Sequence, residues 1–75
     1  DVAEIFGKNV KRQRLRRGLT IEALADDAQL SYSYVGEIER GLRNPTLRIV
    51  GALAAVLMVE PAELFCLNER PRTSS

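Results

Sequence analysis

The residues with a capacity for chemistry are polar and basic, and they fall in three groups along the 75-residue chain. Lys8, Lys11, Arg12, Arg14, Arg16 and Arg17 form a run without an acid. Tyr32, Ser33, Tyr34 and Glu37 follow one another at spacings of one to three residues, which on a helix gathers hydroxyls and a carboxylate on adjoining faces. Arg40, Arg43, Asn44, Thr46 and Arg48 then supply donors suited to anions. Covalent chemistry has no such support. Histidine is absent, no glycine-rich phosphate loop or metal-ligand cluster is visible, and the single Cys66 lacks a base partner, which argues against an enzyme, a metal or another cofactor. What these residue types can do is recognise another polar, anionic molecule by hydrogen bonding and charge.

Composition sets the frame for them. Seventy-five residues make one domain, near the smallest size that buries a sufficient core without disulfides or metal. The net charge of +1 points to no partner by itself, but its distribution is uneven: six of the eleven basic residues lie in the first run, while acids gather at Glu22, Asp26 and Asp27 and again at Glu60 and Glu63. A solvated helix face is the plain alternative for the basic run. The longest apolar stretch, 49–59, is too short for a membrane span, which needs about 20 residues. The chain opens on Asp1, with no secretory pattern visible, and one unpaired cysteine fits a reducing compartment, so a cytoplasmic location is expected.

Period and punctuation predict an all-α fold of five helices. Residues 2–17 form the first, with Ile5, Phe6 and Val10 inward and Gly18 as its stop. Thr20 caps a second over 21–28, with Ala23, Leu24 and Ala28 inward. Ser31 caps a third over 32–40, with Val35 and Ile38 inward and Gly41 as its stop. Thr46, just after Pro45, caps a fourth bearing Leu47, Val50, Leu53, Ala54 and Leu57. Pro61 opens a fifth that carries Leu64, Phe65 and Leu67. The domain is expected over 1–67, with 68–75 a disordered tail.

The second and third helices are joined by so few residues that they must cross steeply, with Ala25 small at the crossing and Leu30, Val35 and Ile38 beneath it. Such a helix-turn-helix projects its second helix, a shape that enters the B-DNA major groove, about 12 Å wide. Rotating the third helix at 100° per residue turns Tyr32, Ser33, Gly36, Glu37 and Arg40 outward. Tyr32, Ser33, Gly36 and Glu37 are therefore the candidate base-reading positions, Glu37 as an acceptor for a cytosine amino group. Tyr34, Arg40, Arg43, Asn44, Thr46 and Arg48 are the candidates for phosphate, aided by the free N–H groups that open the fourth helix. On this view Glu37 specifies sequence and Arg43 anchors the backbone, in separable roles. Gly36 lowers helix propensity by about 1 kcal/mol relative to alanine, which suggests that a close DNA backbone or a neighbouring helix excludes bulk there.

The stretch 10–65 resembles the phage repressor and Cro-like helix-turn-helix family, and more narrowly the controller proteins of restriction-modification systems. The residues that carry the likeness are Arg14, Gly18-Leu19-Thr20, Leu24-Ala25, 34–41 (Tyr-Val-Gly-Glu-Ile-Glu-Arg-Gly), Arg43-Asn44-Pro45 and 60–65 (Glu-Pro-Ala-Glu-Leu-Phe). The resemblance implies a five-helix, lambda-repressor-like domain that regulates transcription, usually as a homodimer on palindromic double-stranded DNA. It also implies an internal ion pair between Arg14 and Glu39. Two departures stand out: Gln29 occupies a turn position that is often glycine, so it must adopt a left-handed or bridge conformation, and Ile21 replaces a glutamine that contacts DNA backbone. Leu64, Phe65 and Leu67 exceed what one side of a short helix buries, and are expected to form the homodimer interface. The same surplus would serve the alternative reading, an all-helical protein-interaction module without DNA binding. No membrane or small-molecule partner is expected.

Overall fold

The computed structural model describes residues 1–67, so the tail expected at 68–75 lies outside the described residues. Its elements are α1 (Val2–Arg16), α2 (Ile21–Ala28), α3 (Tyr32–Glu39), α4 (Leu47–Leu57) and a 3-10 helix (Pro61–Phe65). No described helix is long and apolar enough to cross a membrane.

Each start is set by a side chain that satisfies backbone N–H groups left free by the first turn. Asp1 Oδ1 accepts from the Glu4 N–H at 3.0 Å as half of a capping box. Thr20 Oγ1 accepts from Ala23 N–H (3.0 Å), Ser31 Oγ from Tyr34 N–H (3.1 Å) and Thr46 Oγ1 from Ile49 N–H (3.2 Å). The ends are as local: Gly18 and Gly41 take positive φ of 71° and 76°, as a left-handed stop requires. Gln29 does the same at φ 61°, ψ 43°, and the Leu30 N–H reaches back to the Ala25 carbonyl at 2.8 Å. The non-glycine turn expected between α2 and α3 is therefore a left-handed one.

The fifth element winds more tightly than an α-helix. Pro61 has no N–H to give, the segment is only five residues long, and the Glu63 N–H donates to the Glu60 carbonyl at 2.9 Å, an i to i+3 bond. α1 is the central support, in contact with α3 and the 3-10 helix along its length and with α4 more lightly, while α2 packs on α3 and α4. Phe6, Val10, Leu24, Val35, Ile38, Leu53, Leu57 and Leu64 close the core with at most 2% of their surface exposed.

Two apolar expectations change. Leu47 was placed inward, but it is 86% exposed. It stands on the stripe of Val50, Leu53, Ala54 and Leu57, one turn beyond the point where other elements cover α4. Leu64 was assigned to a dimer surface, but it is fully buried, because the tight 3-10 turn rolls it onto the core beside α1 and α4.

Candidate nucleic-acid interface

The crossing of α2 and α3 holds α3 with Val35 and Ile38 buried beneath and a polar surface above. Tyr32 and Ser33, on its first turn, are both exposed, Tyr32 with 61% of its surface free. Arg40 is exposed at its end, and Arg43, Asn44, Thr46 and Arg48 are exposed in and after the loop to α4. The Thr46 hydroxyl oxygen is engaged as the cap of α4, which leaves its O–H free to donate.

Gly36 departs from its expected place. It is buried, and nothing from another helix stands near it: the nearest atom to a Cβ built there is Arg40 Nη1 at 3.5 Å. The side chain one turn later folds over it, and no neighbouring helix explains the missing bulk.

Glu37 and Arg43 are not independent. Arg43 Nε donates to Glu37 Oε1 at 2.8 Å, and the guanidinium carbon lies 5.2 Å from the centroid of the half-buried Tyr34 ring. A residue of the loop is thus drawn back against two residues of α3. Sequence reasoning missed this contact, and no local pattern marks it, since the pairing depends on the path of the loop after Gly41.

Arg14 and Glu39 meet beneath this surface. Arg14 Nε and Nη2 donate to the two carboxylate oxygens of Glu39 at 2.7 and 3.0 Å, while Nη1 donates to the Leu19 carbonyl at 2.9 Å. Both side chains are at least nine-tenths buried. The two-pronged bond to Glu39 ties the end of α3 to α1, and the third bond ties the α1–α2 turn to the same guanidinium. Close by, Gly7 lets α1 approach α3 until a Cβ there would collide with the carbonyl oxygens of Ile38 and Glu39.

The remaining basic residues of α1 diverge. Lys8, Lys11, Arg12 and Arg16 line an open groove with Leu15, bordered by Glu39. Arg12 is held at its rim by a hydrogen bond from Nη2 to Asn9 Oδ1. Arg17 Nη2 points to the Met58 sulfur at 3.0 Å. Midway along α1, Asn9 Nδ2 donates to the carbonyls of Ile5 and Cys66, each at 2.9 Å, and one turn earlier the Phe6 ring meets that of Phe65 with centroids 5.1 Å apart. Asn9 was also missed. Its only signal in the sequence is a polar residue on the stripe of Phe6 and Val10.

Of the residues expected to mediate dimerisation, Leu67 is 81% exposed and Phe65 39%, with Leu64 excluded by its burial.

Comparison with known proteins agrees with this geometry. The sequence profile of the helix-turn-helix family HTH_3 matches residues 10–64. The crystal structure of the restriction-modification controller protein C.AhdI from Aeromonas hydrophila superimposes with a TM-score of 0.81 at 43% identity, covering 84% of this chain and 96% of that one. The control protein C.BamHI of Bacillus amyloliquefaciens is 34% identical over 62 residues, 81% of this chain and 76% of its own. A crystal structure of SinR, the master regulator for biofilm formation, in complex with DNA matches with a TM-score of 0.76 at 33% identity, covering 79% of this chain and 95% of that one. Against one longer curated regulator the chain spans 41% of that protein's length. With more than half of its residues inside the family profile and the α2–α3 crossing in place, the chain belongs to the HTH_3 helix-turn-helix family of DNA-binding transcriptional regulators.

Proposed function

We propose that this chain regulates transcription in the cytoplasm by binding palindromic double-stranded DNA as a homodimer, with α3 of each copy in a major groove. The observation that carries the reading is the outward side of α3, where Tyr32 and Ser33 stand exposed on a helix whose other side is buried. They read base edges, Tyr32 through its hydroxyl or by contact with a thymine methyl group. Arg40, Asn44, Thr46 and Arg48 hold the sugar-phosphate backbone on either side, with the N-terminus of α4 contributing its free N–H groups. Exposed Phe65 and Leu67 supply the apolar contact between copies, in place of the trio that included Leu64.

A gel shift with fragmented genomic DNA over a range of salt concentrations tests the reading. Retention at low salt that fades as salt rises, with a subset of fragments held longest, is the expected result. An unshifted pool at low salt would overturn it and favour the interaction-module alternative.

A further inference from the structure

We propose that the basic groove on the outward side of α1 is a docking site for an acidic peptide segment of another protein, one with carboxylates on either side of an apolar side chain. The proposal goes beyond the DNA-binding reading and does not depend on it.

At 100° per residue, Lys8, Lys11, Arg12, Leu15 and Arg16 share an arc of about 140° on the side of α1 opposite Phe6 and Val10. They line an open groove of about 590 Å³. Lys8, Lys11, Leu15 and Arg16 are exposed, and none of the four cations forms an ion pair with a described residue. Glu39 borders the groove, but both of its carboxylate oxygens are taken by Arg14, so it does not balance the charge. Cations at 8, 12 and 16 stand one above another at four-residue spacing, where like charges repel and weaken the helix. A face kept only for solubility has no need of that arrangement, since mixed signs solvate as well and stabilise the helix.

Arg12 is only partly engaged. Nη2 donates to Asn9 Oδ1, while Nε is shielded from solvent and has no hydrogen-bond partner among the described residues. A buried donor without a partner is costly, and an entering carboxylate that Arg12 turns to meet accepts from two of its nitrogens at once.

Two features favour a peptide over a nucleic acid. Leu15, 58% exposed among the cations, offers an apolar contact that a sugar-phosphate backbone does not use. Tyr32 and Ser33 point away from the core that Val35 and Ile38 share with Phe6 and Val10 of α1, so the groove and the reading surface are different faces of the domain. From Lys8 to Arg16 the helix rises about 12 Å, a span matched by about four extended residues or two turns of a docked helix.

The test is fluorescence anisotropy at near-physiological salt, with a labelled peptide of about twelve residues, Asp and Glu around one central Leu. The full chain is compared with Leu15→Ser and with the double variant Lys11→Gln/Arg16→Gln, all at exposed positions, and circular dichroism checks that each keeps its fold. The wild type is expected to bind the peptide at micromolar concentrations. Leu15→Ser should weaken binding by about tenfold, as should serine in place of the peptide's leucine, and the double variant by about fivefold or more. Retention of fragmented genomic DNA should stay within about threefold of wild type in both variants. No binding by the wild type would overturn the proposal. Binding indifferent to both leucines would do so too, by reducing it to unspecific ionic attraction. DNA retention lost in step with peptide binding in the double variant would make the groove a nucleic-acid surface instead, and equally overturn it. If the wild type retains no genomic DNA yet binds the peptide through Leu15, the DNA-binding reading fails and the docking site stands.

Discussion

Arg14 and Glu39, separated by 25 residues in sequence, share a two-pronged ion pair that joins the last turn of α1 to the last residue of α3. It is buried, so each charge depends on the other for solvation. Removing one partner strands the remaining charge in an apolar setting, and Arg14→Met or Glu39→Leu is expected to lower the unfolding free energy by about 3–5 kcal/mol. The double variant should recover part of that loss. Urea unfolding followed by circular dichroism measures both, and a strictly additive double variant would show that the two side chains act separately.

Gly7 is expected to tolerate no side chain. A Cβ at that position meets the Glu39 carbonyl oxygen at 2.9 Å and the Ile38 carbonyl oxygen closer still, and both are backbone atoms that cannot swing away. Gly7→Ala should therefore destabilise the domain by about 1–3 kcal/mol, although alanine is the better helix former. Gly51→Ala is the control, because a Cβ there meets nothing within 4 Å, and it should be neutral or stabilising. Thermal unfolding that ranks the two variants in the opposite order would contradict the close approach of α1 to α3.

Gln29 occupies a left-handed conformation with its side chain exposed, so glycine relieves strain there without loss of packing. The left-handed conformation costs a residue with a Cβ about 1–2 kcal/mol, offset in part by the greater freedom of glycine in the unfolded chain. Gln29→Gly should raise stability by about 0.5–1 kcal/mol. An unchanged or lower urea midpoint would mean that the offset is complete.

Self-association through the 3-10 end predicts that Leu67→Ser shifts the wild-type dimer towards monomer in sedimentation while leaving the circular dichroism spectrum intact. Phe65→Ala should do the same, with some loss of stability because its ring also packs on Phe6. A wild-type chain that sediments as a monomer at tens of micromolar, unaffected by either change, would remove this surface from consideration.

Most of the scaffold was legible in the sequence because its signals are local. Thr20, Ser31 and Thr46 cap the helices they were expected to cap, and helical phase placed Val35 and Ile38 beneath α3. Phase failed where it was asked which neighbour covers a residue. Leu47 and Leu64 both looked like members of apolar stripes, yet one lies beyond the edge of the core and the other inside it, a difference decided by the packing of distant elements. Over five residues, period does not distinguish an α-helix from the 3-10 helix that forms. At the interface, rotation of α3 placed Tyr32 and Ser33 outward, but treating side chains singly separated Glu37 from Arg43. Their contact arises from the turn at Gly41 and the return of the loop, for which the sequence holds no periodic sign.

The bonds from Asn9 to the Ile5 and Cys66 carbonyls make α1 a common mount for two distant features, because the helix that supports α3 also clamps the backbone just beyond the 3-10 helix. Among the described residues, one continuous helix joins them. Two copies joined at their Phe65 ends would therefore present both reading helices at one set angle and separation, like teeth on a rigid gauge. Such a gauge measures the number of base pairs between half-sites as well as their identity: one inserted pair rotates the second half-site by roughly 35° about the DNA axis. In such a dimer, with no flexible joint to absorb that rotation, spacing would be a recognition element as strict as a base contact.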